Sequence, residues 1–365
     1  MPGALPLAPR PYPGEALSCW VARVASRYDA TADDLCRHLL GGQGPGLDRV
    51  ERLDHRADPE LVDLLAAAAR IAPDRLRTMR VTLDDGTATC WHRTTATWCP
   101  DCIWADLAHG PEVYERAIWR LGCFVVCPDH GVLLQNACSQ CWREAPCHFR
   151  HAHGRMTLAC SSCNGLPYPP DRPAGDWKVE HTGAFLVQVS PELAALVSDL
   201  QHDLQAALSG TAPHRSWGFV PSGSSLLMVV RHMAFSIVLT ARIRFAWRIE
   251  LVPATDTIPI VPVLHEPMTP AVLSPKVAFG ALAIIAAVLD SLEARGGSGH
   301  KWKQDGVPSV MDAASFVTWL SDDGREWLQT VSRHWDYAVS AAFWAASAVR
   351  RLPAALTALP GTTLI

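Results

Sequence analysis

The sequence predicts a mainly α-helical chain, and three observations carry that reading. Apolar residues recur at helical spacing over residues 14–80 and again over 190–351. Ten of the twelve cysteines fall within residues 90–165. A Pro-rich run, LPYPPDRPAGDWKVE at 166–180, then separates the cysteine-rich stretch from the second helical part. The expected organisation is a helical, helix-turn-helix-like N-terminal domain over 1–89 and a cysteine-rich unit with short β-hairpins over 90–165. A linker over 166–189 and a helical C-terminal domain over 190–365 complete it.

Residues 14–40 read as two short helices. Leu17, Trp20, Val21 and Val24 fall on one face. Tyr28-Asp29-Ala30 breaks the pattern, and Thr31 caps the second helix, with Asp34 at the third position as a capping-box variant. Residues 41–57, Gly-rich and then charged, read as a loop. Asp58-Pro59-Glu60 restarts a helix with Asp at the N-cap and Pro in the first turn. Its apolar stripe is Leu61, Leu64, Leu65 and Ala68, and Pro73 opens one more short helix. Helix, turn, helix thus occurs twice, which fits either a DNA-reading helix-turn-helix or a plain helical bundle. In the first case Arg37 is a candidate nucleic-acid or partner contact.

Beyond the linker, Ser190-Pro191-Glu192 starts a helix that Gly210 ends. Further helices are expected over 224–247, from Pro275 to Ala294, and near 309–320 and 324–351, with a Pro-rich extended connection over 252–275. The apolar runs Leu226–Ala241 and Val277–Leu289 are too short or too interrupted for a span of about 20 apolar residues. Both read as buried core helices. The N-terminal stretch has no basic region followed by a long apolar one. A soluble, cytoplasmic bacterial protein with no membrane partner is expected.

In a reducing cytosol, clustered cysteines point to metal rather than to disulfides. Cys99-Pro-Asp-Cys102 and Cys127-Pro-Asp-His130 are two pairs of soft ligands, each two residues apart. A tight turn at that spacing lets both side chains reach one ion, and two such turns complete a tetrahedron. Cys138-Ser-Gln-Cys141 and Cys160-Ser-Ser-Cys163 form a second, four-cysteine set of zinc-ribbon type. Two structural Zn2+ ions per chain are expected, with all four positions of each filled by protein. Only seven residues separate His130 from Cys138, so the two sites should form one unit. So small a unit would draw much of its folding free energy from metal. Cys123, three residues before Cys127, could swap as a ligand, Cys147 sits near the second site, and Cys90-Trp91-His92 could contribute to a third metal; each lacks a second CxxC-type pair, so each reads first as a buried packing residue. Pro111–Leu121 reads as a helix with Tyr114, Ile118 and Leu121 as its apolar stripe. A hairpin between the halves of the second site, with Gly154 at its tip, would project Arg150, His151, His153 and Arg155 toward a phosphate or an acidic partner.

The net charge is −4, and no third of the chain is a basic block. Bulk electrostatics therefore give no push toward autonomous duplex binding. The sequence has no GxxxxGK[ST] loop, HExxH, GxSxG elbow or GxGxxG fingerprint, and no catalytic set stands out. A non-enzymatic protein is expected.

The residues match a known pattern. Pro11-Tyr-Pro-Gly-Glu-Ala-Leu-Ser-Cys-Trp20 resembles the opening "PxPGESLxSW" helix of the TniQ family, which includes the target selectors of bacterial transposons. The resemblance continues through Trp98-Cys-Pro-Asp-Cys102, Tyr114, Trp119-Arg120, the Val126-Cys-Pro-Asp-His-Gly-Val-Leu-Leu134 run and Cys138-Ser-Gln-Cys141. It covers about residues 10–165; Ala16 departs from the usual Ser. It implies an adaptor or target selector that links a target-recognition complex, or target DNA itself, to an AAA+ transposition ATPase and its transposase. Some members read DNA directly. Others dock as dimers on RNA-guided CRISPR effector complexes. Two other readings rank below it: a zinc-ribbon helix-turn-helix regulator, and an enzyme whose catalytic residues lie in the helical C-terminal part.

Overall fold

The computed structural model describes residues 4–42, 52–80, 91–93, 96–110, 112–136, 138, 140–141, 147–152, 155–167, 191–215, 217, 222–243, 275–293, 300–301 and 310–348. It is mainly helical. One unit comprises residues 1–186 and 269–278, the other residues 187–268 and 279–365.

The first unit opens with α1 (Leu17–Ser26) and α2 (Ala32–Leu39). Asp29, at φ 52°, makes the turn between them. Thr31 and Asp34 form the expected reciprocal capping box: Thr31 Oγ1 accepts from the Asp34 amide, and the Asp34 carboxylate accepts from the Thr31 amide. A one-turn helix, α3 (Leu53–Arg56), occupies part of the stretch expected to be loop. Its Asp54 explains why. The carboxylate accepts from Ser18 N at 2.8 Å and Ser18 Oγ at 2.7 Å, capping the first turn of α1 from outside. Ala16 occupies the N-cap of α1 and offers no side-chain acceptor, so Asp54 supplies the negative group that a helix N-terminus favours. α4 (Pro59–Ala69) starts at Asp58, whose side chain accepts from Glu60 N, and α5 (Pro73–Arg77) comes next. Leu17, Trp20, Val21 and Val24 pack with Leu35, Leu39, Leu61, Leu65 and Leu76 in one core. Each such side chain removed from water contributes about 1.5–3 kcal/mol. Leu64, assigned to the same stripe, is only half-buried.

A further helix in this unit, α6 (Pro100–His109), begins inside the first cysteine pair. The helix expected over 111–121 does not form. Instead the backbone there is extended, with a 3-10 turn at Ala117–Arg120. Ala16 N donates to Glu115 O at 2.8 Å, and Ala117 N donates to Gly14 O at 2.9 Å. The segment thus pairs with the chain entering α1, which outweighs the helical periodicity of its apolar residues. The hairpin between the second pair of ligand turns is present as β1 (Cys147–Ala152) and β2 (Arg155–Cys160), antiparallel, with Cys147 opposite Cys160. Its tip at 153–154 lies outside the described residues.

Charged groups are buried where these parts meet. Arg23, on α1, is 1% exposed. Its guanidinium donates to Glu15 Oε1 and Oε2 and to Glu112 Oε1, each at 2.8 Å, and to Arg10 O at 3.0 Å. Tyr12 lies under the cation at 4.2 Å and stacks on Tyr114 at 4.7 Å. The other oxygen of Glu112 accepts from Met156 N in β2 at 3.0 Å. Burial alone would depress the Arg23 guanidinium, yet its bonds to Glu15 and Glu112 hold it above its ordinary value. Burial in turn pushes the Glu15 carboxyl up, against the pull of Arg23.

In the second unit, α7 (Pro191–Leu208) ends near Gly210, at φ 71°, as expected. It packs on α8 (Gly223–Ile243), which packs on α11 (Asp322–Val331). α9 (Pro275–Glu293) enters this unit at Phe279 and is buried on every side from there to Leu289, which marks a core helix. β3 (His300–Lys301) pairs with β4 (Val310–Met311), and α10 (Ala313–Trp319) packs on α12 (Tyr337–Ala348). The single helix expected over 324–351 is broken between α11 and α12: Trp335 turns inward to donate to His232 Nδ1, and Asp336 caps α12 by accepting from Ala338 N. Among the described residues no helix is long and apolar enough to cross a membrane. The linker from 168 and the connection up to 274 lie outside the described residues.

Removing Arg23 while keeping its volume tests the buried ion cluster. Arg23→Met leaves Glu15 and Glu112 facing each other out of water, and should cost about 3–5 kcal/mol in urea unfolding. Arg37→Met, on the exposed face of α2, should cost no more than about 1 kcal/mol. Equal, small losses for both variants would contradict the reading of the cluster.

Candidate metal centres

Cys99 is the N-cap of α6. Its sulfur accepts from Cys102 N at 3.5 Å, and Pro100 fills the first helical position, where no amide is needed. The turn therefore aims Cys99 and Cys102 at one point. The opposite half is a tight turn. Gly131 N donates to Cys127 O and Cys127 N to Val132 O, both at 2.8 Å. Gly131 stands at φ 64°, the left-handed region that glycine enters without a Cβ clash. Trp98 pairs with Gln135 through both backbone groups, at 3.0 and 2.8 Å, which clamps the two halves together.

The result is one compact ligand set. His130 Nδ1 lies 3.6 Å from Cys99 Sγ, 3.3 Å from Cys102 Sγ and 3.6 Å from Cys127 Sγ, and Cys102 Sγ lies 3.6 Å from Cys127 Sγ. In the second set, Cys138 Sγ lies 3.7 Å from Cys163 Sγ, and Cys141 Sγ 3.7 Å from Cys160 Sγ. In each set all four ligand atoms fall within 4.8 Å of one another. These spacings can be checked against coordination geometry. Metal–sulfur bonds of about 2.3 Å and metal–imidazole bonds of about 2.0–2.1 Å, arranged as a tetrahedron, place sulfurs ~3.8 Å apart and sulfur from nitrogen ~3.6 Å. Both sets match these edges and could each hold one metal ion.

The electrostatics of the first set fit a dication. Hydrogen bonds from Cys102 and Cys99 hold the Cys127 thiol far below its usual range, at about 2. Hydrogen bonds with Cys102 and then Cys127 push the Cys99 thiol up, and the one with Cys127 pushes Cys102 up to about 12. Crowded sulfurs resist carrying more than one negative charge, and a cation at their centre removes that conflict. The two sets differ in exposure. Cys99, Cys102 and Cys127 are buried and His130 is exposed; Cys138 and Cys160 are buried, Cys141 is half-buried and Cys163 is exposed.

The candidate contact residues are less concentrated. Arg37 is exposed on α2, but its guanidinium pairs with Asp33 and Asp34. Arg150 and His151 are half-buried on β1, and Arg155 is exposed at the start of β2. His153 lies outside the described residues. Cys123 and Cys147 are buried. Trp91 is buried, and the His92 ring lies 4.0 Å from that of His55; Cys90 lies outside the described residues. Sequence reasoning missed Glu15, Arg23, Glu112 and Arg93. Arg93 is buried and donates to the carbonyls of Leu121, Gly122 and Phe124, holding its segment against the strand-like run before Cys127. Glu15 alone carried a signal, as part of the Pro-Tyr-Pro-Gly-Glu run.

Helical pairs joined to two four-residue clusters define the class: a mainly helical protein with two Cys/His sets that could each hold a metal ion. Residues 6–134 match the model of the TniQ family, and the chain carries a TniQ domain over that stretch. The match spans α1 to α6 and the whole first ligand set; the second set lies beyond it. The match supports a transposition-associated role in general terms. No curated protein matches the chain.

Cys127→Ser should lower bound metal from two ions per chain to one, read by elemental analysis, and should open the 99–135 segment to protease. Two ions retained with unchanged cleavage would contradict the first ligand set.

Proposed function

We propose that the chain is a non-enzymatic adaptor or target selector in DNA transposition. In this reading it links target DNA, or a complex bound to it, to an AAA+ transposition ATPase and transposase. The observation that carries the reading is the TniQ match over residues 6–134, which runs through the helices and the first ligand set together.

The chemistry of the clusters supports it. We assign Zn2+ to both, held by Cys99, Cys102, Cys127 and His130, and by Cys138, Cys141, Cys160 and Cys163. Thiolate-rich tetrahedral sets suit zinc, and four protein ligands leave no open position for water or substrate. Such an ion shapes a surface and does no chemistry of its own.

The helices support an adaptor over an autonomous DNA reader. A reading helix presents its N-terminal residues to base edges. In α2 those residues are Asp33 and Asp34, which would face the negative groove and already engage Arg37. Arg77, on α5, is likewise paired with Asp63 at 2.6 Å and Asp74 at 2.8 Å. Phosphate binding would have to displace these carboxylates. Arg155 is exposed, and Arg150 lies on the same hairpin face, whereas His151 faces the side of buried Met156, so Arg155 with Arg150 is the better contact for an acidic partner surface.

Two measurements on the zinc-loaded full chain test this. Duplex binding by fluorescence anisotropy across a salt series should be weak, and co-elution with the AAA+ ATPase of the same transposon should be seen on size exclusion with ATP. Tight duplex binding that falls steeply with salt, without co-elution, would make the chain a direct DNA-binding regulator instead.

A further inference from the structure

We propose that Cys147 is a fifth thiol of the second metal site, a reserve ligand that takes the place of Cys163. The inference rests on the reading that this site holds a metal. The hairpin register carries it. Cys147 begins β1 directly opposite Cys160, the last residue of β2. Opposed residues of an antiparallel pair share one face, with Cβ atoms about 4.5–5.5 Å apart. Cys147 therefore presents its thiol on the face from which Cys160 reaches the metal.

Burial agrees with the register. Cys147 is 2% exposed and packs in one cluster with Cys138 and Cys160, with Cys141 against it. The other described cysteines outside the two ligand sets lie elsewhere: Cys36 in the helical core, Cys19 on α1 with its Sγ accepting from Glu115 N, and Cys123 outside this cluster. The ligand that Cys147 would replace is the least enclosed of the four, because Cys163 is exposed on the turn after β2. Solvent and competing ligands reach the metal from that side first.

The exchange is balanced and involves no oxidant. The Cys163 sulfur–metal bond breaks and the Cys147 sulfur–metal bond forms. The proton leaves the Cys147 thiol and ends on the departing Cys163 thiolate. Four thiolates surround the ion before and after, so the charge at the site is unchanged. The hairpin would then keep its metal when its exposed turn is displaced, for example under a partner.

The test uses the full chain loaded with Co2+, whose thiolate charge-transfer intensity grows with the number of bound sulfurs. Wild type and Cys147→Ala should each bind two ions, which also shows that the alanine variant folds. Cys163→Ser should still bind two ions with undiminished charge-transfer intensity. The double variant Cys147→Ala/Cys163→Ser should lose that intensity and bind its second ion at least about tenfold more weakly in competition with a chelator, the scale on which groups around a metal tune affinity. The first set serves as an internal reference in every variant. If Cys163→Ser lost intensity and affinity to the same degree with and without Cys147, the reserve role would be wrong. If wild type itself bound only one ion, the reading of the second site as a metal site would fail instead.

Discussion

A single carboxylate, Glu112, joins three parts of this chain that are far apart in sequence. One oxygen takes a hydrogen bond from Arg23 of α1; the other takes one from the Met156 amide of β2. Glu112 itself stands between Cys102 and Cys127, inside the first ligand set. Burying one guanidinium and two carboxylates is costly unless every group finds partners. Here Glu15 and Glu112 flank Arg23, Tyr12 covers its face, and Arg10 O takes a further bond. The arrangement is stable only if the N-terminal run, the segment between the ligand pairs and the hairpin are all in place. It joins α1, the segment between the first cysteine pair and Cys127, and β2 in one hydrogen-bond network.

This interlock gives the Pro-Tyr-Pro-Gly-Glu opening a physical meaning. Gly14 takes φ 68° so that the chain can double back and its carbonyl can accept from Ala117 N. Glu15 then meets Arg23 while also accepting from Tyr12 N at 2.9 Å. Tyr12 fills the gap between Arg23 and Tyr114. The motif is a latch, and its partners are residues of the TniQ domain that lie beyond the first cysteine pair.

The features legible in the sequence were local. The capping box at Thr31, the Asp58-Pro59 start, the Gly210 stop and both ligand sets depend on residues a few positions apart, or on spacing that only one geometry satisfies. The hairpin followed from the need to bring Cys160 back toward Cys138. The features that escaped were set by distant partners. Residues 112–121 have helical periodicity but pair with Gly14 and Ala16. Buried Arg23, Arg93 and Glu112 resemble ordinary surface charges, because nothing near them in sequence shows that they face inward. α6 was legible and overlooked: Cys99, Pro100 and Asp101 are a capping residue, a first-turn Pro and a first-turn acid. The break at Trp335 depends on His232, about a hundred residues away, and had no local sign.

The central claim is that the metal turns and the N-terminal helices hold each other in shape. Hydrogen exchange on the zinc-loaded chain, before and after a strong chelator, tests it directly. Amides of α1 and of 112–121 are expected to lose protection together with those around Cys99–Cys102 and Cys127–His130. If the ligand turns exchanged freely while α1 kept its protection, the helical part would stand without the metal, and Glu112 would join the parts without coupling them.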